Sequence, residues 1–103
     1  MMARVKAASL HELPPGASLV VRVNGESIAL FNGGGEIVAL GNVCPHAGES
    51  LGEGTVEGDI VICPGHGWEY DLRSGACMTV PGESVPRFPV TVEGDAILVD
   101  LGE

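Results

Sequence analysis

Positive charge and aromatic side chains are scarce in this sequence. Its 103 residues contain five Lys and Arg against fourteen Asp and Glu, with one Trp, one Tyr and two Phe. The net charge of −9 excludes nucleic-acid binding, because phosphate contacts need clustered Lys and Arg. An acidic surface instead favours a protein partner with a basic docking patch, although acidity by itself also keeps a small protein soluble.

Long hydrophobic runs and a disulfide framework are also missing. No apolar segment follows the basic residues near the N-terminus, so no signal peptide is indicated. No stretch approaches the ~18 apolar residues of a membrane span, and we expect no membrane contact. Three cysteines, an odd number, indicate a reducing compartment, and we expect a cytoplasmic protein. The leftover Cys77 is predicted to be a small buried residue.

Two short loops carry the chemistry of the sequence: Cys-Pro-His at 44–46 and Cys-Pro-Gly-His at 63–66. Thiolates suit iron–sulfur clusters or zinc, and imidazole binds both iron and zinc. A Cys-x-His with a Cys-x-x-His is the arrangement expected when two sulfide-bridged irons are ligated unequally, one by cysteines and one by histidines. A structural zinc site is the alternative, although zinc fingers usually group cysteines with cysteines and histidines with histidines.

The neighbours of the four candidate ligands have physical roles of their own. Glycines at 48, 65 and 67 permit positive φ and close backbone approach, so that amide N–H groups point at sulfur. Trp68 is predicted to form an apolar wall beside the second loop, with plain core packing as the alternative.

The two loops and their surroundings resemble Rieske [2Fe–2S] proteins, whose signature is C-x-H, a gap of about fifteen residues, then C-x-x-H. The run His-Gly-Trp-Glu-Tyr-Asp at 66–71 is similar to the Rieske domains of ring-hydroxylating oxygenases and their ferredoxins. Val-Pro-Gly at 80–82 resembles the proline loop that covers the cluster, which implies a role for Pro81. The resemblance covers about residues 36–92. It implies one [2Fe–2S] cluster per chain, with Cys44 and Cys63 on the buried iron and His46 and His66 on the outer iron.

Departures from one branch of that family are informative. The Rieske subunits of respiratory complexes join their ligand loops by a disulfide, and the corresponding positions here are Glu49 and Gly65. Trp68 stands where those high-potential proteins have a serine. We therefore expect a potential near the low end of the roughly −150 to +300 mV Rieske range. In the family the residue aligned with Tyr70 donates to a cysteine sulfur in some members; a half-buried strand residue is the alternative.

The remaining pattern predicts an all-β protein, a single domain of residues 1–103. Short β-branched runs at 19–23, 28–31, 36–40, 54–56, 60–62 and 96–99 are separated by Gly- and Asn-rich turns, with Asn24-Gly25 as a hairpin signal. The hairpin over 54–62 would set the second ligand loop beside the first. We expect small antiparallel sheets with a cluster-binding subdomain, about 41–82, at one tip.

Three functions follow from these patterns. The first is a ferredoxin that carries single electrons from a flavin-containing reductase to a terminal oxygenase. The second is a small Rieske subunit of a nitrite-reductase-like complex, and the third is a zinc-binding interaction module. We do not expect an enzyme, because a mononuclear iron site would need two further histidines and only His11 remains.

Overall fold

The computed structural model describes residues 4–33, 36–44, 48–65 and 67–101. This part of the chain forms short antiparallel strands and two 3-10 helices, Leu10–Glu12 and Leu51–Glu53, and none of its helices is long and apolar enough to span a bilayer. The strands are β1 (Arg4–Ser9), β2 (Ser18–Val23), β3 (Glu26–Gly33), β4 (Glu36–Gly41), β5 (Thr55–Glu57), β6 (Ile60–Ile62), β7 (Glu69–Asp71), β8 (Arg87–Phe88), β9 (Val90–Glu93) and β10 (Ala96–Asp100). The prediction of an all-β fold is confirmed.

Two sheets form the base of the molecule, in the orders β2-β3-β4-β8 and β1-β10-β9. The β2–β3 hairpin turns at Asn24 and Gly25, whose φ angles are 50° and 85°. Positive φ at both central residues matches the right-handed twist of the flanking strands, and Asn-Gly tolerates it best. The hairpin signal in the sequence is confirmed.

A third sheet, β5-β6-β7, is built by the segment between β4 and β8. β5 turns into β6 at Gly58, and β9 turns into β10 at Gly94, with φ of 61° and 62°. Both turns lie within the same Val-Glu-Gly-Asp sequence, at 56–59 and 92–95, so one turn sequence is used twice. The predicted hairpin between the two Cys-His loops is also present. Strands β1, β7, β8 and β9 were not among the predicted runs. β1 and β8 pair with β10 and β4, which are distant in sequence, and β7 has only three residues, so the local pattern carries little signal of them.

The β2-β3-β4-β8 sheet separates two hydrophobic cores, because alternate residues of a strand face opposite sides. One core contains Ile28, Leu30 and Ala39 and packs against the β1-β10-β9 sheet. The other contains Ala29, Phe31, Val38, Leu40, Leu51, Val61, Leu72 and Val85, together with Cys44, Cys63, Tyr70 and Cys77. Both candidate cysteine ligands therefore lie in the core shared with the third sheet.

Candidate metal centre

Cys44 and Cys63 each begin a tight loop, and the two loops have the same backbone hydrogen bonds. The Cys44 carbonyl accepts from the Gly48 amide at 2.9 Å, and the Cys63 carbonyl accepts from the Gly67 amide at 3.0 Å. The cysteine amides donate five residues ahead, from Cys44 to the Glu49 carbonyl at 2.9 Å and from Cys63 to the carbonyl of the residue after Gly67 at 2.8 Å. Each of the two cysteines therefore begins a turn of the same type.

A left-handed glycine closes each of these turns. The φ angles of Gly48 and Gly67 are 68° and 74°, in the region that L side chains rarely adopt. Each glycine is four residues after its cysteine. The cysteine and the glycine of one loop are therefore equivalent in backbone position to those of the other loop. The histidine is two residues after the cysteine in the first loop and three after it in the second. Gly65 is exposed.

Tyr70 connects the two loops. It lies in β7, directly beyond the second loop, and its hydroxyl is 3.1 Å from the Cys44 sulfur of the first. The side chain is fully buried, not half-buried as a plain strand residue would be. Burial, the hydrogen bond to Cys44 and the nearby charges of the cysteines all raise the pKa of Tyr70. The hydroxyl therefore keeps its proton and can donate it to the Cys44 sulfur.

The other predicted neighbours differ in how they meet the cysteines. Trp68 is partly buried against the core that contains Cys44 and Cys63, and its carbonyl accepts the Cys63 amide. In the proline loop Val80 packs against this core, whereas Pro81 is exposed. The Val80 amide lies 3.4 Å from the Cys77 sulfur. Cys77 is a small buried residue, as predicted, with an exposed fraction of 7%.

His46 and His66 lie outside the described residues, as do Pro45 and Ala47. The structure describes the two cysteines but not the imidazoles, and the predicted ligand set of Cys44, His46, Cys63 and His66 stays a prediction. Within the described ranges no three His, Cys, Asp or Glu side chains converge as a metal site. Two buried thiols at the heads of matched turns, one of them beside a buried hydroxyl, fit an iron–sulfur cluster in donor type.

Three exposed acidic residues, Glu49, Glu53 and Glu69, lie in or next to the two loops and are called the rim here. Glu49 closes the first loop through its carbonyl, Glu69 begins β7 after the second, and Glu53 lies in the second 3-10 helix. Among the described residues, the ion pairs formed by Arg4, His11, Arg73 and Arg87 use other acids. The rim carboxylates thus leave a negative surface around the loops.

Comparison with known proteins assigns the family. The Rieske [2Fe-2S] domain matches residues 3–89, and the chain belongs to this family. The chain contains one [2Fe–2S] cluster, so of the two candidate metals, iron and zinc, the metal is iron. The ferredoxin component of the naphthalene 1,2-dioxygenase system of Pseudomonas aeruginosa is 34% identical over 98 residues, covering 94% of each chain.

Solved structures agree with this assignment. A chain in the complex of reduced oxygenase and oxidized ferredoxin of carbazole 1,9a-dioxygenase matches with a TM-score of 0.85 and 28% identity, over 94% of this chain and 92% of that one. A putative NADH-dependent nitrite reductase small subunit from Mycobacterium tuberculosis matches with a TM-score of 0.89 and 30% identity, over 97% and 96%. The Rieske resemblance and its fold are confirmed.

Proposed function

We propose that this protein is the ferredoxin of a ring-hydroxylating dioxygenase system, carrying single electrons from a flavin-containing reductase to a terminal oxygenase. The observation that supports it best is the pair of matched loops, with Tyr70 placed between them. Relatives that match over nearly their whole length are named as ferredoxin components of such systems. In this role the chain transfers electrons and the oxygenase acts on the substrate.

The ligand set we propose is Cys44 and Cys63 on one iron, with His46 and His66 on the other. The bound cluster supplies one-electron redox chemistry. The two cysteines lie in a core that excludes water from their side of the site. Tyr70 donates a hydrogen bond to the Cys44 sulfur, which stabilises the additional negative charge of the reduced state.

The surrounding residues complete the proposed centre. Gly48 and Gly67 set the two turns, while Gly65 leaves the second loop without a side chain between its proline and its histidine. Trp68 contributes apolar cover beside the second loop. Pro81 belongs to a loop closed by a hydrogen bond from the Cys77 amide to the Glu83 carbonyl at 2.8 Å. We propose residues 1–103 as one domain, with about 41–82 as its cluster-binding subdomain.

The partners in this proposal are recognised by charge. The chain carries a net charge of −9, and the carboxylates of the rim face solvent. Basic patches on a reductase and an oxygenase would accelerate encounter and make it sensitive to salt. In this proposal the protein is cytoplasmic, because its three cysteines form no disulfide and suit a reducing compartment.

The first test is the visible and low-temperature EPR spectrum of the purified protein, before and after dithionite. A red-brown protein that gives a rhombic signal on reduction is expected. A colourless, dithionite-insensitive protein containing zinc would overturn the proposal.

The second candidate function is the small subunit of a nitrite reductase, favoured by the high TM-score of the mycobacterial neighbour. The two functions differ in how the protein behaves with partners. A ferredoxin purifies alone and reduces an oxygenase in rapid, salt-dependent turnover, whereas a subunit purifies in a stable complex with a larger chain. Size-exclusion chromatography of the protein from its native host distinguishes them.

A further inference from the structure

The two ligand loops are held at their bases in different ways. The second loop caps a regular ladder, in which β6 and β7 pair from Ile60 to Asp71 up to Ile62 with Glu69. The first loop has only an isolated bridge between Val43 and Ser50, outside any strand. After it the chain enters the 3-10 helix instead of a strand. The base of the first loop therefore lacks the ladder that holds the second.

The side chain of Asn42 occupies this position, two residues before Cys44. Its amide nitrogen donates to the hydroxyls of Ser27 in β3 at 3.1 Å and Ser50 at 3.0 Å. Its amide oxygen accepts from the Gly52 backbone N–H at 2.8 Å and from the Ser50 hydroxyl at 3.2 Å. One side chain thus joins both ends of the first loop to the central sheet.

Backbone hydrogen bonds complete the same junction. The Asn42 amide donates to the Ser27 carbonyl at 3.1 Å, and the Asn42 carbonyl accepts from Leu51 at 2.7 Å. The Gly52 carbonyl in turn accepts from the Ser18 hydroxyl of β2 at 2.8 Å. A Cβ at Gly52 would collide with Val20, so the 3-10 helix lies directly against the sheet.

The orientation of the Asn42 amide is determined by its partners. The Gly52 N–H is a donor only, so it must face the oxygen, and the two serine hydroxyls accept from the nitrogen. Asn42 is 6% exposed, and both polar atoms of its amide are bonded within the protein. Removing the side chain would leave the buried Gly52 donor without this partner, which costs more than an exposed hydrogen bond.

We propose that Asn42 is a positioning residue for the first ligand loop, and that its side chain replaces the strand ladder that the second loop possesses. This inference rests on the proposed ligand set, because it requires Cys44 to hold the cluster. It assigns Asn42 no contact with the cluster. Its effect on the metal is transmitted through the backbone from residue 42 to residue 44.

The test compares Asn42→Ala with Asn32→Ala in the cluster-loaded protein. Asn32 is a matched control: it is equally buried, at 6%, and its amide nitrogen donates to the Leu13 carbonyl at 2.9 Å in the base of the molecule. Hydrogen exchange is measured on peptides covering residues 42–54 and 60–72. Cluster loss to a chelator is followed by visible absorbance.

Asn42→Ala is expected to accelerate exchange over residues 42–54 by on the order of tenfold, with residues 60–72 unchanged. Cluster loss should accelerate by a similar factor. Asn32→Ala should leave both loops and the rate of cluster loss as in the wild type. Asn42→Asp should restore slow exchange, because an oxygen still accepts from Gly52 and the serine hydroxyls can donate to the carboxylate.

Equal acceleration of both loops, or equal effects of Asn42→Ala and Asn32→Ala, would overturn the inference. If Asn42→Ala does not fold, Ser50→Ala removes one partner of the amide and should give a smaller change of the same kind. A wild-type protein that binds no iron would contradict the proposed ligand set instead. If the wild type binds iron but the Asn42 variants show unchanged exchange and cluster loss, only the role of Asn42 is contradicted.

Discussion

In both ligand loops a left-handed glycine donates its amide to a cysteine carbonyl, but the chain continues differently on either side. The second loop joins β6 to β7 and inherits the hydrogen bonds of a three-residue ladder. The first joins Gly41 at the end of β4 to a 3-10 helix, and its base is bonded to the side chain of Asn42. The same cysteine-to-glycine turn is thus supported by a ladder in one loop and by a buried amide in the other.

The comparison shows that the shape of such a loop and the contacts that hold its ends are determined separately. A turn of five or six residues is determined by its glycine and its own hydrogen bonds, whereas its position depends on what holds its ends. Tyr70 relates the two loops, because its backbone belongs to the ladder of the second and its hydroxyl contacts Cys44 in the first. Changes at the cysteines should affect both loops alike, whereas changes around them should not.

The largest expected effect is the loss of either cysteine. Cys44→Ala and Cys63→Ala should each abolish cluster binding, because each would remove one of the two thiolates proposed to hold the same iron. Iron and sulfide content with visible absorbance measures this. Cys77→Ala is the matched control, since Cys77 is also buried in this core and should be dispensable for the cluster. Retention of a full cluster in either single variant would mean that the ligand set is different.

Alanine at the turn glycines should have a smaller effect. Gly48→Ala and Gly67→Ala should each lower the free energy of unfolding by about 1–2 kcal/mol, because a Cβ is strained at positive φ. No described atom lies within 4 Å of either added Cβ, so no steric clash with the described residues adds to the backbone strain. Thermal unfolding should show shifts of about 4–8 °C per kcal/mol.

Gly16→Ala supplies the control for those two variants. Its φ is 84° and it lies outside both loops, again with no described atom within 4 Å of a Cβ. It should cost similar stability without affecting cluster retention. If the loops differ in support as described, Gly48→Ala should release the cluster faster than Gly67→Ala, and the reverse order would argue against the comparison.

Tyr70→Phe should lower the reduction potential by roughly 50 mV, the equivalent of about 1 kcal/mol for one electron. The ring still fills the core, and only the hydrogen bond to Cys44 is removed. Because burial raises the pKa of Tyr70, the hydroxyl remains protonated, and the difference should persist across neutral and mildly alkaline pH. Redox titration over this range measures it. An unchanged potential would show that the hydroxyl does not stabilise the reduced state.

The smallest effect is expected at His11 and Asp95, in the base of the molecule. The His11 ring nitrogen lies 2.9 Å from the Asp95 carboxylate, and this hydrogen bond lowers the pKa of Asp95. The resulting stability is present above the ordinary Asp pKa of about 3.9 and is lost as the pH falls through the lower native value.

Asp95→Asn should remove that pH-dependent difference and leave cluster retention unchanged. Unfolding measured between neutral and acid pH provides the test. Faster cluster loss in Asp95→Asn would show that the base of the molecule and the ligand loops are coupled.

Much of this arrangement could be predicted from local pattern. The Asn24-Gly25 hairpin, the turns at Gly58 and Gly94, and the strands with β-branched runs all follow from short-range rules. The paired cysteines at the heads of their loops were predicted in the same way. Asn42 was missed, because a single asparagine before a turn carries no signal of the buried partners it will meet in β3 and the 3-10 helix.

By itself the sequence determined the donor types, the turn chemistry and the acidic charge, because these depend on residue identity and short spacing. Only the tertiary structure decided which cysteine the Tyr70 hydroxyl meets and which side chain supports the first loop. Tyr70 and Cys44 are 26 residues apart, and Asn42 and Ser27 are 15 apart. Such contacts form only when the sheets have packed, because burial and register bring together groups that the chain keeps distant.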